Sequence, residues 1–267
     1  MKIWTVANQK GGVGKTTTAV TLAGFLAGRG QRTLLVDLDP HGSLTSYFGY
    51  NPDTIEESVY SLFHRETADS NMPLAAMLRK TGVPRLDLLP ACTALVALDR
   101  QIGAQQGMGL VIQTALRDYQ THYPYVIIDC PPTLGVLMIN ALAACDLLIL
   151  PVQTEFLAIN GLERMLNTLK MIILSGKESI NYLILPTMYD QRTRASRDCL
   201  EYLQNGYAGN IHEAYIPIDT NFREASRHGR PLSVMAPRSR GAVAYAALLS
   251  TLTEADQFAA TGLEEAG

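Results

Sequence analysis

Seven short apolar runs punctuate the chain: KIWTVA at 2–7, RTLLVDLD at 32–39, LDLLP at 86–90, YVIIDC at 125–130, LLILPV at 147–152, YLILPTM at 182–188 and EAYIPI at 213–218. Their apolar positions are continuous rather than alternating, which predicts strands covered on both faces. Between them, helical patterns lie near 15–29, 55–65, 108–120, 136–144, 157–174, 195–204 and 240–254. This alternation predicts an α/β fold: a doubly wound, mostly parallel sheet flanked by helices. A length of 267 residues suits one large domain, assigned to residues 1–256, with 257–267 as a short acidic tail that frays.

In such sheets ligands gather at the carboxyl ends of the strands. The segments there are polar or rich in Gly and Pro: the loop after the first strand, then DLDPHGS, DCPPTLG, PTMYDQRT and PIDTNFREAS, all predicted to converge on one crevice. The first loop lies within VANQKGGVGKTTTAV, residues 6–20. A glycine-rich turn between strand and helix aims consecutive backbone N–H groups inward and cradles phosphate oxygens at the positive end of the helix. Gly11, Gly12 and Gly14 supply the flexibility, Lys15 bridges the β- and γ-phosphates, the Thr16 hydroxyl holds Mg²⁺, and Thr17 donates to the α-phosphate. The common spacing G-x-x-x-x-G-K-[ST] asks for glycine at position 9; this chain has Gln9, followed by Lys10.

Two further strand ends carry carboxylates. Asp129 closes YVIID, where a carboxylate orients magnesium-bound water. Asp37 and Asp39 stand two apart in DLDP and so share a face of the strand end, from which one could accept a proton from attacking water. The alternative is a turn-forming role before Pro40.

Composition narrows the classes. Hydrophobic residues make up 47% and charged residues 18%, with a net charge of −3, so any nucleic-acid binding must be local. Cys92, Cys130, Cys145 and Cys199 form no C-x-x-C pair, which argues against a zinc knuckle or a redox dithiol. The first residues lack a signal-peptide core. The stretch LGVLMINALAACDLLILPV at 134–152 approaches the length of a membrane span but carries Asn140, Asp146 and Pro151, and reads as a helix followed by a buried strand. A cytoplasmic protein without a membrane partner is expected.

The blocks KGGVGKTT, LLVDLDP, VIIDCPPTLGVLMINAL, PVQTEFLAINGLERM, PTMYDQRT and the EAS.HGRP stretch, with PRSRGAVAY after it, follow one another in a familiar order. From about residue 2 to residue 252 the chain resembles the ParA/MinD class of deviant Walker A, P-loop ATPases. The resemblance implies slow, partner-stimulated ATP hydrolysis with Mg²⁺ and a nucleotide-dependent homodimer in which Lys10 reaches the partner's phosphates. By the same resemblance, Gly11, Gly12, Val13, Gly14, Lys15, Thr16 and Thr17 hold the nucleotide, and Met188, Pro217 and Asp219 surround adenine. It likewise places Thr16, Asp37 and Asp129 around the metal and gives Asp39 the hydrolytic water.

Other features of the family divide. The usual DPQGN is here Asp39-Pro40-His41-Gly42-Ser43, with His41 read as a solvated loop residue. Residues 192–240 hold eight arginines against five acids, among them Arg192, Arg194 and Arg223, candidates for weak nonspecific DNA contact. Arg192 matches a DNA-contacting position, whereas Asn221 occupies another. The carboxyl end is acidic and lacks the lysine-rich amphipathic helix of MinD. The expected function is positioning or partitioning of cargo, either polar machinery such as chemotaxis arrays or chromosomal and plasmid DNA. A ParB-like or cargo adaptor is the expected partner, and the location nucleoid or pole. The alternative is a biosynthetic ligase of the dethiobiotin or cobyrinate synthetase type.

Overall fold

A computed structural model of the chain describes residues 1–64, 73–101, 108–174 and 179–264. In its first half, β1 (Lys2–Val6), α1 (Lys15–Gly28) and β2 (Thr33–Asp37) precede three short helices, α2 (Ser43–Tyr47), α3 (Tyr60–Phe63) and α4 (Leu74–Met77). Then come β3 (Arg79–Lys80), β4 (Leu86–Leu89), α5 (Leu95–Gln101), α6 (Val111–Arg117) and β5 (Tyr125–Asp129). The second half continues with α7 (Val136–Ala144), β6 (Leu147–Gln153), α8 (Phe156–Leu174), β7 (Tyr182–Thr187) and α9 (Arg194–Gly206). It closes with α10 (Asn221–Arg227), α11 (Leu232–Met235) and α12 (Arg240–Glu264).

The strands form one seven-stranded sheet in the order β3-β4-β2-β5-β1-β6-β7, parallel except for β3. Alternate residues of each strand feed opposite layers. Ile3, Leu34, Val36, Val126 and Ile128 pack with Leu137, Leu142 and Leu162 on one face. Trp4, Val6, Leu35, Ile127 and Ile149 pack with Leu22, Leu26, Tyr245 and Leu248 on the other. With both faces covered, neither set of positions is polar, which is why the strands read as unbroken apolar runs. The suspected membrane stretch divides into α7 and β6, and no helix among the described residues is long and apolar enough to cross a membrane.

Some elements depart from the sequence expectation. EAYIPI is not a strand; it runs beside the end of β7 with one isolated bridge within it, Tyr189–Pro217, and another just before it, Ile184–Ile211. The Ile216 N–H donates to the Pro186 carbonyl at 2.8 Å and its carbonyl accepts the Tyr189 N–H at 3.1 Å, but the left-handed backbone of Met188 (φ 53°) between those two partners interrupts a regular ladder. The helix expected at 55–65 shrinks to α3, because the Val59 N–H bonds to the Pro90 carbonyl at 2.8 Å instead of to its own helix; residue 65 lies outside the described residues. The pattern at 108–120 becomes a 3-10 turn over Met108–Leu110 followed by α6. Residues 257–264 of the acidic tail form the last turns of α12, and 265–267 lie outside the described residues.

The edge strand β3 buries a charge. Asp87 of β4 accepts from Lys80 Nζ at 2.7 Å, Tyr123 OH at 2.9 Å and Arg32 Nη2 at 3.3 Å. Burial works against the Asp87 carboxylate, yet these three donors hold its pKa below the ordinary carboxylate value. A depressed folded-state pKa stabilises the fold above the unfolded value and is lost as pH falls through the folded one. Asp87→Asn is predicted to cost about 1–3 kcal/mol at neutral pH. Denaturant melts should show this deficit constant down to about pH 4 and shrinking below it.

Candidate nucleotide-binding site

The site starts from strand register. Val6 pairs with Asp129, and Asp129 pairs with Asp37, so β1, β5 and β2 end side by side. The loop that leaves β1 therefore passes two carboxylates before entering α1. Its turn needs left-handed backbone at Gly12 (φ 75°) and Gly14 (φ 93°), conformations that cost a side chain about 1–2 kcal/mol. Gly14 precedes α1 with no side-chain cap, leaving the first amides of the helix for a ligand.

The loop is pinned on both sides. Buried Asn8 donates Nδ2 to the Pro151 carbonyl at 2.8 Å and accepts the Lys10 N–H at 3.0 Å through Oδ1. The Thr187 hydroxyl, at the end of β7, donates to the Val13 carbonyl at 2.9 Å. Lys15 is buried and its Nζ donates to the Lys10 carbonyl at 3.3 Å, under the loop. Lys10 turns the other way: its Nζ pairs with the Glu155 carboxylate at the start of α8.

The carboxylates separate into three environments. Asp129 accepts the Thr16 hydroxyl at 2.6 Å through Oδ2. Its Oδ1 is buried and has no hydrogen-bond partner among the described residues. Burial raises the Asp129 carboxyl well above its ordinary pKa, and the neighbouring Asp37 adds to the rise. Asp37 is also fully buried, and its pKa rises to about 7 through burial, against the lowering effect of the Thr45 hydroxyl and N–H. Asp39 is more open, with Oδ1 accepting both the backbone N–H of His41 at 3.0 Å and its Nδ1 at 2.9 Å. Its Oδ2 has no hydrogen-bond partner among the described residues. Asp37 and Asp39 nevertheless differ in exposure: the Thr45 hydroxyl and N–H of α2 hold Asp37 in the interior, while Asp39 remains at the rim.

An orphaned carboxylate oxygen beside a hydroxyl and a second buried acid fits a divalent cation, whose charge would relieve all three. Among the described residues no three His, Cys, Asp or Glu side chains form a metal cage. That fits Mg²⁺, which keeps several waters and takes the rest of its shell from phosphate. Thr16, with Asp37 and Asp129 behind it, would hold that shell.

The crevice beyond the loop has a volume of about 690 Å³ and is lined by Val13, Gly14, Thr16 and Thr17 on one side and by Met188, Pro217 and Asp219 on the other. The structure thus brings together the phosphate loop and all three expected base-pocket residues. Tyr47, Phe222 and Tyr245 add aromatic walls, which no motif marked. The Asp219 oxygens are already engaged by the Asn221 N–H at 3.0 Å, Asn221 Nδ2 at 2.7 Å and the Gly241 N–H at 2.9 Å. Asp219 therefore shapes the pocket by tying its loop to α12 and has little left with which to read a base.

The three candidate DNA-binding arginines do not act alike. Arg192 is exposed and pairs with Asp190 at 2.7 Å, and Arg194 is exposed and contacts Asp198 at 3.3 Å. Arg223, on α10, lines the nucleotide crevice. His41 is 81% exposed, as read, but its tie to Asp39 was not foreseen.

A glycine cradle at a helix start, a buried lysine, and a Thr–Asp pair with an orphaned oxygen define a P-loop nucleotide site, and Lys10 sets this loop apart within that class. A family model described as "AAA domain" matches residues 1–182. The chain is 38% identical over 246 residues to the sporulation initiation inhibitor protein Soj of Bacillus subtilis, spanning 91% of this chain and 95% of that protein. It is 34% identical to the chromosome partitioning protein ParA of Myxococcus xanthus, over 96% and 89% of the two chains. The solved structure of cobyrinic acid a,c-diamide synthase from Mycobacterium smegmatis, with bound ATP analogue and magnesium, is similar at a TM-score of 0.81 and 33% identity, covering 95% and 94%. The chain belongs to the ParA/MinD family of deviant Walker A ATPases.

A folded-state pKa raised to about 7 makes Asp37 a cost that is absent below about pH 4 and grows as pH rises. In nucleotide-free, metal-free protein Asp37→Asn is predicted to raise the melting temperature, by an increment that grows between about pH 4 and 7 and then levels off. Thermal melts of both proteins across that range check it. A flat difference contradicts the assignment.

Proposed function

We propose that this protein is an ATP-hydrolysing, ATP-dependent homodimer that positions or partitions cellular cargo. The observation that carries the reading is the division of labour between two lysines of one loop. Lys15 lies under the phosphate cradle, while Lys10 points away from it toward Glu155. A cation that its own site does not use is suited to a second copy of that site, where it acts as an arginine finger does.

The geometry supports a role for each residue. The amides at the start of α1 and Lys15 take the β- and γ-phosphates, and the partner's copy of Lys10 adds positive charge from across the interface. Thr16, with Asp37 and Asp129 behind it, would hold magnesium, which would supply charge neutralisation for the phosphates. Asp39, with Oδ1 occupied by His41, presents Oδ2 to the attacking water. The pocket between Met188 and Pro217 takes the base through backbone groups and apolar contact.

The cargo reading draws on the relatives: a sporulation inhibitor and a chromosome partitioning protein at 38% and 34% identity. Exposed Arg192 and Arg194 support weak, salt-sensitive contact with DNA, because the surface pairs they make with acids are worth little and exchange readily for phosphate. Polar machinery is the narrower alternative for the cargo, and an adaptor of the ParB kind the partner that stimulates hydrolysis. The synthase at 33% identity supports a second reading, in which ATP activates a carboxylate for amide formation.

Two experiments separate these. Lys15→Ala is predicted to abolish ATP binding, whereas Lys10→Ala retains it within a few fold but loses ATP-dependent dimerisation; calorimetry and sedimentation read the two properties. Asp39→Ala is predicted to trap the ATP-bound dimer. A fluorescent fusion of that variant in cells should then stay on the nucleoid or at a pole, where the wild-type signal exchanges. Diffuse signal from both proteins favours the synthase reading.

A further inference from the structure

Lys10 is held rather than free, and the holder is part of the frame. Its main chain is fixed by Asn8 Oδ1 on its N–H and by Lys15 Nζ on its carbonyl. Gly161 of α8 approaches so closely that a Cβ there would lie 3.4 Å from the Lys10 Cβ. Only the outer side chain can move. Glu155 is equally anchored: the preceding Thr154 is buried, its N–H bonding to the Thr187 carbonyl at 3.0 Å and its hydroxyl lying 2.6 Å from the Ser196 hydroxyl. The Glu155 carbonyl accepts the Ala158 N–H at 3.0 Å, placing the carboxylate at the positive start of α8. The ion pair between them spans 145 positions of sequence and is open to solvent, with side-chain exposures of 28% and 42%.

We propose that Glu155 is a latch in cis for Lys10. In the nucleotide-free monomer it parks the ammonium on its own chain, and on dimerisation the partner's triphosphate takes the lysine from it. The proposal rests on the reading that Lys10 acts across a dimer interface. Glu155 is not among the residues that line the nucleotide crevice and is a positioning residue. Its effect is to set a threshold: unless a triphosphate offers more negative charge than one carboxylate, the lysine stays at home and two chains do not join. A solvent-open pair is worth roughly two- to fivefold in an equilibrium. Because each dimer releases two latches, the effect on dimerisation is roughly the square, four- to twenty-five-fold.

Glu155→Gln keeps the shape and removes the charge, and two readouts on the full-length chain test it. In dilute nucleotide-free protein, Lys10 is acylated by an N-hydroxysuccinimide ester and followed by peptide mass spectrometry, with Lys80 as internal reference. The variant's Lys10 should react several-fold faster than the wild type's. With ATP and Mg²⁺, sedimentation should show the variant dimerising at a protein concentration lower by roughly four- to twenty-five-fold. Equal acylation rates in the two proteins overturn the latch. A dimerisation midpoint that stays or rises overturns it too, since the glutamate would then be idle or would hold the lysine within the dimer. Wild-type protein that remains monomeric with ATP contradicts the dimer reading alone, while the acylation rates still decide whether Glu155 holds Lys10.

Discussion

The parallel register of β1, β5 and β2 is the constraint on which the site depends. It sets Val6, Asp129 and Asp37 in one row, so that the phosphate loop begins where two carboxylates end. Burying both is costly, and the fold meets part of that cost with Thr16 on Asp129 and Thr45 on Asp37. What is left over, an unpartnered Asp129 oxygen and two raised pKa values, is a demand for positive charge. The site thus suits its ligands: metal and phosphate would together supply and receive the charges that these residues leave unbalanced.

A similar economy governs the two lysines. Lys15 can stay buried because it bonds to the Lys10 carbonyl. Lys10 is closer to solvent and takes Glu155. Each cation therefore has a partner inside the chain, which in the proposed dimer the nucleotide and the second copy replace in turn. The strapping of the loop by Asn8 and Thr187 keeps the main chain still during that exchange.

Much of this was legible in the sequence, for identifiable reasons. Six of the seven strands were read because both faces are buried, and the phosphate loop because its glycines, lysine and threonine are contiguous. EAYIPI failed because apolar pattern says nothing about the left-handed backbone at Met188, which interrupts its pairing with the end of β7. The edge strand β3 was invisible, being two polar residues long. The burial that separates Asp37 from Asp39 was not legible locally, because it depends on Thr45, eight residues beyond Asp37. Glu155 was missed for the same kind of reason: its partner is far away in sequence, and no local spacing marks the pair. Asp219, expected near adenine, lines the crevice, and only the structure reveals that its oxygens are spent on Asn221 and Gly241.

The central claim is that the site is completed by Lys10 of a second chain. The most direct measurement is a crystal structure of the Asp39→Ala protein with ATP and Mg²⁺, read at the Lys10 Nζ. The account predicts a two-fold dimer in which each Lys10 has left Glu155 and lies within hydrogen-bonding distance of the partner's triphosphate. A Lys10 still on Glu155, or one bound to the phosphates of its own chain, contradicts it.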